Sequence, residues 1–389
     1  MSQPLIARSK DLLKLQNEGY AVEISSGFLL IKDVPYVNSQ REIKRGILIS
    51  PLSLCGDITD RPATHVAYWT GEHPCHSDGR KIESIANPSG PQSLGEGIQA
   101  DFTFSAKADY RDYHHKMTTY IGRISGEAMV LDDKATPQTY PVVRCGEEDS
   151  VFRYQDTATS RIGTGSLNEV FSNHRIGIIG LGGTGSYVLD LVAKTCVSEI
   201  HLFDGDVFSQ HNAFRTPGAP SVDELMLKPK KVAYLKSIYD RMRRGIHLHP
   251  YAIDENNVTE LLPLDFVFIC MDTGAAKRVV VQNLFEAGIP FVEVGMGIIQ
   301  GQGFLTGLIR VTAGTDTVRD AILEKMSFSE DVVQNEYATN IQIAELNALN
   351  AALAVIRWKK LYGFYHDSAK AHSYGYSIAA NDMVNEVEA

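Results

Sequence analysis

Arg175-Ile176-Gly177-Ile178-Ile179-Gly180-Leu181-Gly182-Gly183-Thr184-Gly185 runs from an apolar segment straight into a glycine cluster. The run Ile176 to Ile179 has the pattern of a strand buried on both faces. Thr184 to Lys194 follows with helical character. Gly180, Gly182, Gly183 and Gly185 permit a tight turn and let backbone N–H groups approach a phosphate, which the positive N-terminus of the next helix favours. An acid completes the pattern. Asp204 lies 19 residues beyond Gly185, at the end of the strand-like Glu199-Ile200-His201-Leu202-Phe203-Asp204. That is near the spacing at which a carboxylate meets ribose hydroxyls, so the stretch predicts an adenine-nucleotide site.

Working outward, Pro229 to Arg244 reads as a basic helix with Pro229 in its first turn. Asp265 to Cys270 is another buried strand, Ala275 to Glu286 a helix, and Pro290 to Val294 a further strand. Strand and helix alternate, which predicts an α/β fold with a Rossmann-like, mostly parallel sheet and right-handed crossovers. Asn340 to Leu361 is rich in alanine and leucine, without Gly or Pro, and reads as one long helix. Its stripe Ile341, Ile343, Leu346, Leu349, Leu353 and Ile356 is expected in the core. The acidic stretch from Asn381 to Ala389 is expected to fray. Residues 1–155 read differently, as a smaller α+β domain preceding the domain at 156–389. They carry short β-type runs such as Gly27 to Ile31, Gly46 to Ile49 and His65 to Trp69, a loop at Asn87 to Pro91, and a helix over Asp109 to Ile124.

The chemistry follows the glycine loop. Asp204-Gly205-Asp206 leads to Asn212 and Arg215, then Lys228-Pro229-Lys230-Lys231, and finally Cys270-Met271-Asp272-Thr273 after a strand. A dinucleotide dehydrogenase would share the loop and Asp204 but has no use for this later set. Arg makes planar multidentate contacts to phosphate oxygens, and Lys adds a point charge. An Asp at a strand's carboxyl end suits Mg²⁺, which prefers a few carboxylates with phosphates and water. A leaving pyrophosphate needs such charge compensation.

The order G-x-G-G-x-G, D-x-D, N-x-x-R, P-K and strand-Asp, spread over residues 156–361, resembles the ThiF-type adenylyltransferases. These include the activating enzymes of sulfur-carrier proteins and of ubiquitin. The resemblance implies that Gly182 and Gly183 lie under the phosphates, Asp204 binds the ribose and Asp206 supports that turn. It puts Asn212 and Arg215 on the phosphates, Lys230 (or Lys231, one register on) on the α-phosphate, and Asp272 on Mg²⁺. An arginine upstream of the loop, often supplied by the second subunit, corresponds to Arg161 or alternatively Arg153. The implied reaction is ATP-dependent adenylation of the C-terminal carboxylate of a ubiquitin-like carrier, by a homodimer. It would be the first step of a bacterial ubiquitin-like conjugation pathway that acts in antiviral defence, with a ubiquitin-conjugating-enzyme-like protein as a further partner.

The sequence departs from that family twice. Its five cysteines, Cys55, Cys75, Cys145, Cys196 and Cys270, never form Cys-x-x-Cys, so the structural zinc of many relatives is not expected. No cysteine follows Cys270, so the usual thioester nucleophile is missing. The segment from Thr312 to Thr339 offers only hydroxyls: Thr315, Thr317, Ser327, Ser329 and Thr339. A hydroxyl without a neighbouring base is a poor nucleophile, which favours direct transfer of the adenylate to a partner.

Composition sets the remaining bounds. The 389 residues carry 37 Lys+Arg against 47 Asp+Glu, a net charge of −10, which argues against a nucleic-acid or anionic-membrane binder. No run approaches 18 apolar residues and the start lacks a continuous apolar h-region, so neither a membrane span nor a secretory signal is expected. The odd, scattered cysteines fit reduced thiols and a cytoplasmic setting. His73-Pro74-Cys75-His76 reads as a turn rather than a metal site. It has a weak resemblance to the His-Pro-Asn turn of ubiquitin-conjugating enzymes, without their cysteine downstream, which makes residues 1–155 a catalytically inactive partner-docking domain. Cys55 and Cys75 are outside contenders for a nucleophile. His114-His115 is expected on a solvated helix face, Cys196 and Cys270 in buried packing, and Arg241 to Arg244 at a helix C-terminus. Two competing functions stay open: a nicotinamide-dependent oxidoreductase, and a non-catalytic nucleotide-sensing scaffold.

Overall fold

A computed structural model describes residues 2–88, 90–95, 97–147, 150–272, 274–315, 319, 322–323 and 341–386. Thr273, Thr317, Ser327, Ser329, Thr339 and Asn340, named above, lie outside the described residues, as does part of the loop at Asn87 to Pro91. The chain divides into two compact units. The first holds residues 1–145 and 154–162; the second holds residues 146–153 and 163–389.

The first unit begins with helices α1 (Ser2–Arg8) and α2 (Lys10–Asn17). Among the described residues ten strands follow: β1 (Ala21–Ser25), β2 (Phe28–Val37), β3 (Ile43–Pro51), β4 (Leu54–Cys55), β5 (Ile58–Thr59), β6 (Val66–Thr70), β7 (Ala86–Asn87), β8 (Gln92–Gly95), β9 (Ile98–Ala100) and β10 (Phe102–Ser105). Six of them form an antiparallel sheet in the order β1-β2-β3-β6-β10-β7. Helix α3 (Tyr113–Leu131) covers one face, burying Tyr113, Met117, Tyr120, Ile121 and Ile124 against Leu29, Ile31, Leu48 and Trp69. It starts later than Asp109 and runs past Ile124, because Asp112 caps it by accepting a hydrogen bond from the His115 N–H at 2.7 Å. His114 does not lie on a solvated face. Its ring is 13% exposed and its Nε2 meets Glu18 at 2.8 Å. The short helix α4 (Thr157–Ile162) closes this unit.

The second unit contains α5 (Gly165–Asn168) and an eight-stranded sheet. Its strands are β11 (Arg175–Ile179), β12 (Glu199–Phe203), β13 (Ile246–His249), β14 (Phe266–Ile269), β15 (Phe291–Gln300), β16 (Leu305–Gly314), β17 (Ser373–Ser377) and β18 (Asp382–Glu386). The spatial order is β13-β12-β11-β14-β15-β16-β17-β18. The first five are parallel and the last three antiparallel. Alternate residues feed two cores. Ile176, Ile178, Ile200, Leu202, Phe266 and Phe268 face one side; Ile179, Phe203, Val267 and Ile269 face the other. Helices α6 (Gly183–Val192), α9 (Lys231–Tyr239) and α11 (Ala344–Leu361) pack on the first, and α10 (Ala275–Glu286) on the second. This is the mostly parallel, two-layered covering expected from the alternation of elements.

Four expectations shift. Helix α9 starts at Lys231, so Pro229 precedes it, and it ends at Tyr239. The basic run beyond is structural. Arg243 is fully buried and donates to the carbonyls of Thr195 (3.2 Å) and Val197 (2.6 Å), and burial pulls its pKa down to about 10. The leucine stripe of α11 is not its buried face: Asn347, Asn350, Ala351, Ala354, Val355 and Trp358 are, while Leu346, Leu349 and Leu353 stay half-buried and Ile356 exposed. Finally, Asp382 to Glu386 is an ordered edge strand, because β18 pairs along its length with β17. Among the described residues, no helix is long and apolar enough to cross a membrane.

Candidate functional site

The chain enters β11, β12 and β13 in spatial sequence, then returns to the other side of β11 with β14. The strand order therefore reverses beside β11, where open α/β sheets bind ligands at the carboxyl ends of their strands. Four segments meet these ends: the glycine loop after β11, Asp204 after β12, the Asn212–Arg215 turn beyond it, and Cys270 to Asp272 after β14.

The loop's shape depends on two glycines. Gly180 has φ +84°, and a Cβ there would sit 2.6 Å from the Cys270 carbonyl oxygen. A Cβ on Gly185 would run into the Gly180 carbonyl, so this position lets α6 close on the strand. At the tip, a Cβ on Gly182 would meet nothing within 4 Å, which leaves open space at the helix N-terminus.

Asp204 is buried and braces the loop. Its carboxylate accepts hydrogen bonds from the N–H of Leu181 (2.7 Å) and of Asp206 (2.8 Å). Lys231 is buried beside it, 3.5 Å from Asp204 and 2.6 Å from the exposed carboxylate of Asp206. Lys230 caps α9, is exposed, and donates to the Gly205 carbonyl. The two adjacent lysines are thus separated by environment: Lys231 is locked between two carboxylates, and Lys230 presents its ammonium to solvent.

Asn212 and Arg215 lie on α7 (Gln210–Ala213) and just beyond it. Asn212 Oδ1 accepts from the Ser209 N–H at 2.8 Å, which holds the turn. Asn212 Nδ2 and Arg215 Nε are buried and lack a hydrogen-bond partner among the described residues. Orphaned buried donors cost free energy, and a bound acceptor would remove that cost. Asp272 is exposed, two residues past Cys270.

Two features were not anticipated. Asn347 on α11 is fully buried, accepts from the Thr184 hydroxyl at 3.0 Å and donates to the Arg215 carbonyl at 3.5 Å, tying the glycine loop to the arginine turn. Its signal in the sequence is the pair Asn347 and Asn350, three residues apart among the alanines and leucines of that helix. Lys277 on α10 and Glu293 on β15 form a fully buried ion pair, with Arg310 3.5 Å from Glu293. A buried charge of this kind persists only when paired.

Other sequence candidates are placed elsewhere. Arg161 lies on α4 in the first unit, with its guanidinium 5.4 Å from the centre of the Tyr140 ring. Arg153 is engaged with the carbonyl of Asp240, past the end of α9. In the His73–His76 segment, His73 packs edge-on against Phe102 and Phe104, and Cys75 bridges to Val37 and Lys81. His76 meets Glu127 at 2.8 Å. The five cysteines form no disulfide; Cys196 and Cys270 are only partly buried, packed against the first core of the sheet. Burial pushes the thiols of Cys75, Cys196 and Cys270 up, so they resist ionisation to the nucleophilic thiolate.

A ThiF family model matches residues 154–377, more than half of the chain, and a domain of unknown function (DUF6791) matches residues 10–157. Among solved structures, a selenomethionine form of PaaA is 16% identical with a TM-score of 0.45, covering 59% of this chain and 70% of that one. MccB of E. coli is 17% identical with a TM-score of 0.44, covering 59% and 67%. Its ATP complex is 16% identical with a TM-score of 0.44, covering 57% and 65%. No curated protein matches the sequence. On the extent of the family match, the chain belongs to the ThiF family.

Proposed function

We propose that the protein adenylates the C-terminal carboxylate of a ubiquitin-like carrier protein with ATP, as the first step of a bacterial conjugation pathway. The observation that carries this reading is the pair of buried donors, Asn212 Nδ2 and Arg215 Nε, which lack a partner among the described residues and lie on the turn that Asn347 ties to the glycine loop. Phosphate oxygens satisfy such donors.

In this reading Gly180, Gly182, Gly183 and Gly185 shape the phosphate loop, and the N-terminus of α6 adds its partial positive charge. Asp204 keeps the loop in place and uses its remaining lone pairs for the ribose, and Asp206 supports it by fixing Lys231. Asn212 and Arg215 hold phosphate oxygens. Lys230, whose ammonium is exposed, follows the α-phosphate as charge builds during attack; the confinement of Lys231 favours Lys230 for this role. The exposed carboxylate of Asp272, past the end of β14, fits Mg²⁺, which would supply charge neutralisation at the phosphates. The carrier carboxylate attacks the α-phosphorus, the bond to the β-phosphate oxygen breaks, and acyl-AMP and pyrophosphate form. The protein contributes positioning and electrostatics.

Arg161 is the proposed upstream arginine, since Arg153 is already engaged at Asp240. The half-exposed stripe of Leu346, Leu349, Leu353 and Ile356 supports a homodimer, in which that apolar face would be covered. The first unit is proposed to dock partners, including a ubiquitin-conjugating-enzyme-like protein, in a cytoplasmic antiviral system. With no ionisable thiol at hand in the nucleotide site, the adenylate passes directly to a partner.

The test is carrier-dependent ATP–pyrophosphate exchange by the full-length protein. Lys230→Ala and Asp272→Ala should each lower exchange about 100-fold or more, in line with loss of a group that stabilises transition-state charge. Exchange that persists unchanged in both variants removes the residue assignment. Tight NADH binding without ATP binding removes the reaction.

A further inference from the structure

Glu199, His201 and Phe203 alternate onto one face of β12, and His247 and His249 onto the same face of the edge strand β13. The register sets His201 opposite His247 and Phe203 opposite His249. The His201 ring lies 4.7 Å from that of His247 and 5.3 Å from that of His249, centroid to centroid. Glu199 Oε2 is 3.0 Å from His201 Nε2 and 3.8 Å from His247 Nε2. One ligand atom from each of Glu199, His201 and His247 lies within 4.8 Å of the others. None of these side chains belongs to the set proposed to handle ATP.

The polar contacts around His201 contain one proton too few. Glu199 Oε2 meets His201 Nε2 at 3.0 Å, and His201 Nδ1 meets His249 Nε2 at 3.1 Å. His249 Nδ1 then meets the Tyr251 hydroxyl at 2.9 Å, and that hydroxyl donates to Glu260 at 2.6 Å. Four contacts each need a proton, but two neutral imidazoles and one phenol bring three. If Tyr251 donates to Glu260, His249 from Nδ1 and His201 from Nδ1, the chain is satisfied except at one place. There the His201 Nε2 lone pair faces the Glu199 carboxylate. A cation between them removes the conflict. Metal-bound histidines commonly have this arrangement, with the second ring nitrogen donating to an outer acceptor.

We propose that Glu199, His201 and His247 bind a zinc(II)-class ion, oriented by the outer chain His249–Tyr251–Glu260. Two imidazoles and a carboxylate select such a metal over Mg²⁺ or Ca²⁺, which take oxygen ligands. With metal–nitrogen bonds of about 2.0–2.1 Å, donors on a tetrahedral zinc stand roughly 3.3 Å apart. The observed 3.0 and 3.8 Å bracket that spacing. Three protein ligands leave one position for water or a substrate group. The ion would clip the edge strand β13 to β12.

The test uses the full-length protein, stripped with a chelator and kept free of ATP, and titrated with Zn²⁺ against a chromophoric competitor. One equivalent should bind. His247→Gln and His201→Gln should each weaken it at least tenfold, and Zn²⁺ should raise the melting temperature of the parent but not of His247→Gln. Because His247 is half-exposed on an edge strand, His247→Gln keeps the comparison available even if His201→Gln misfolds. Co²⁺ in place of Zn²⁺ should give visible d–d bands without thiolate charge transfer. Equal Zn²⁺ affinity in the parent and His247→Gln overturns the site, and so does a thiolate-dominated Co²⁺ spectrum.

Discussion

Replacing Asp204 by asparagine tests how the nucleotide loop is held. The amide keeps the shape of the carboxylate but only one acceptor oxygen. Two backbone donors, the N–H groups of Leu181 and Asp206, now compete for it, and the new amide N–H₂ faces one of them. One charge-assisted hydrogen bond is lost, worth about 1.5–3 kcal/mol. Lys231 also loses a carboxylate at 3.5 Å but keeps Asp206 at 2.6 Å, so the cost stays below the roughly 3–5 kcal/mol of orphaning a buried charge. The sum is about 3 kcal/mol. For a unit in the 150–250-residue range, at roughly 2–4 °C per kcal/mol, the melting transition should fall by about 6–12 °C. Differential scanning calorimetry of the full-length protein measures it, with the transition of the second unit identified as the one that ATP shifts. Lys231→Met in the Asp204→Asn background should then cost at least about 1 kcal/mol less than in the parent, because the two side chains are coupled. A shift under about 2 °C, or strict additivity of the two substitutions, refutes the view that Asp204 is the brace of the loop.

Three further outcomes follow from the packing. Gly185→Ala drives a Cβ into the Gly180 carbonyl, a backbone atom that cannot rotate away, so it should cost about 1–3 kcal/mol and abolish ATP binding by calorimetric titration. Burial lowers the Lys116 pKa from 10.5 to about 8, with Ser50, Thr64 and Val66 oxygens around its ammonium. The folded state therefore binds fewer protons than the unfolded state between those values, and stability rises with pH there. At about 1.36 kcal/mol per unit, denaturant titrations should show the parent gaining about 3 kcal/mol on Lys116→Met between pH 7 and pH 10.5. Burial pushes the Asp367 carboxyl up, but the Arg357 hydrogen bond at 2.5 Å and its charge, aided by Lys360, outweigh that and hold it below the usual range. Its contribution is present above about pH 4 and lost as pH falls through the folded value. Asp367→Asn should therefore cost more at pH 7 than in acid, as read from urea midpoints at the two pH values.

The local pattern determined the elements around the nucleotide loop. Apolar runs from Ile176, Glu199 and Asp265 became strands, and α10 spans Ala275–Glu286 as the sequence predicts, because period and breaker residues are properties of adjacent positions. The glycine loop and Asp204 were legible for the same reason: a tight turn and a strand-end acid are short-range chemistry. What the sequence could not express is which residues share an environment across the sheet. Lys230 and Lys231 are neighbours with equal charge, and only tertiary packing buries one between Asp204 and Asp206 while leaving the other exposed. The leucines of α11 look like its core face, yet asparagines and alanines take that place, because small residues let α11 lie close along α6 and Asn347 finds partners in the loop. Asp382 to Glu386 looks too polar to be ordered until β17 offers it a full set of backbone partners. The Glu199–His201–His247 cluster spans 48 residues of chain and exists only through the pairing of β12 with β13, since 247 − 199 is 48. Hydrogen bonding and burial between distant segments depend on where the chain folds back, and no local propensity encodes that.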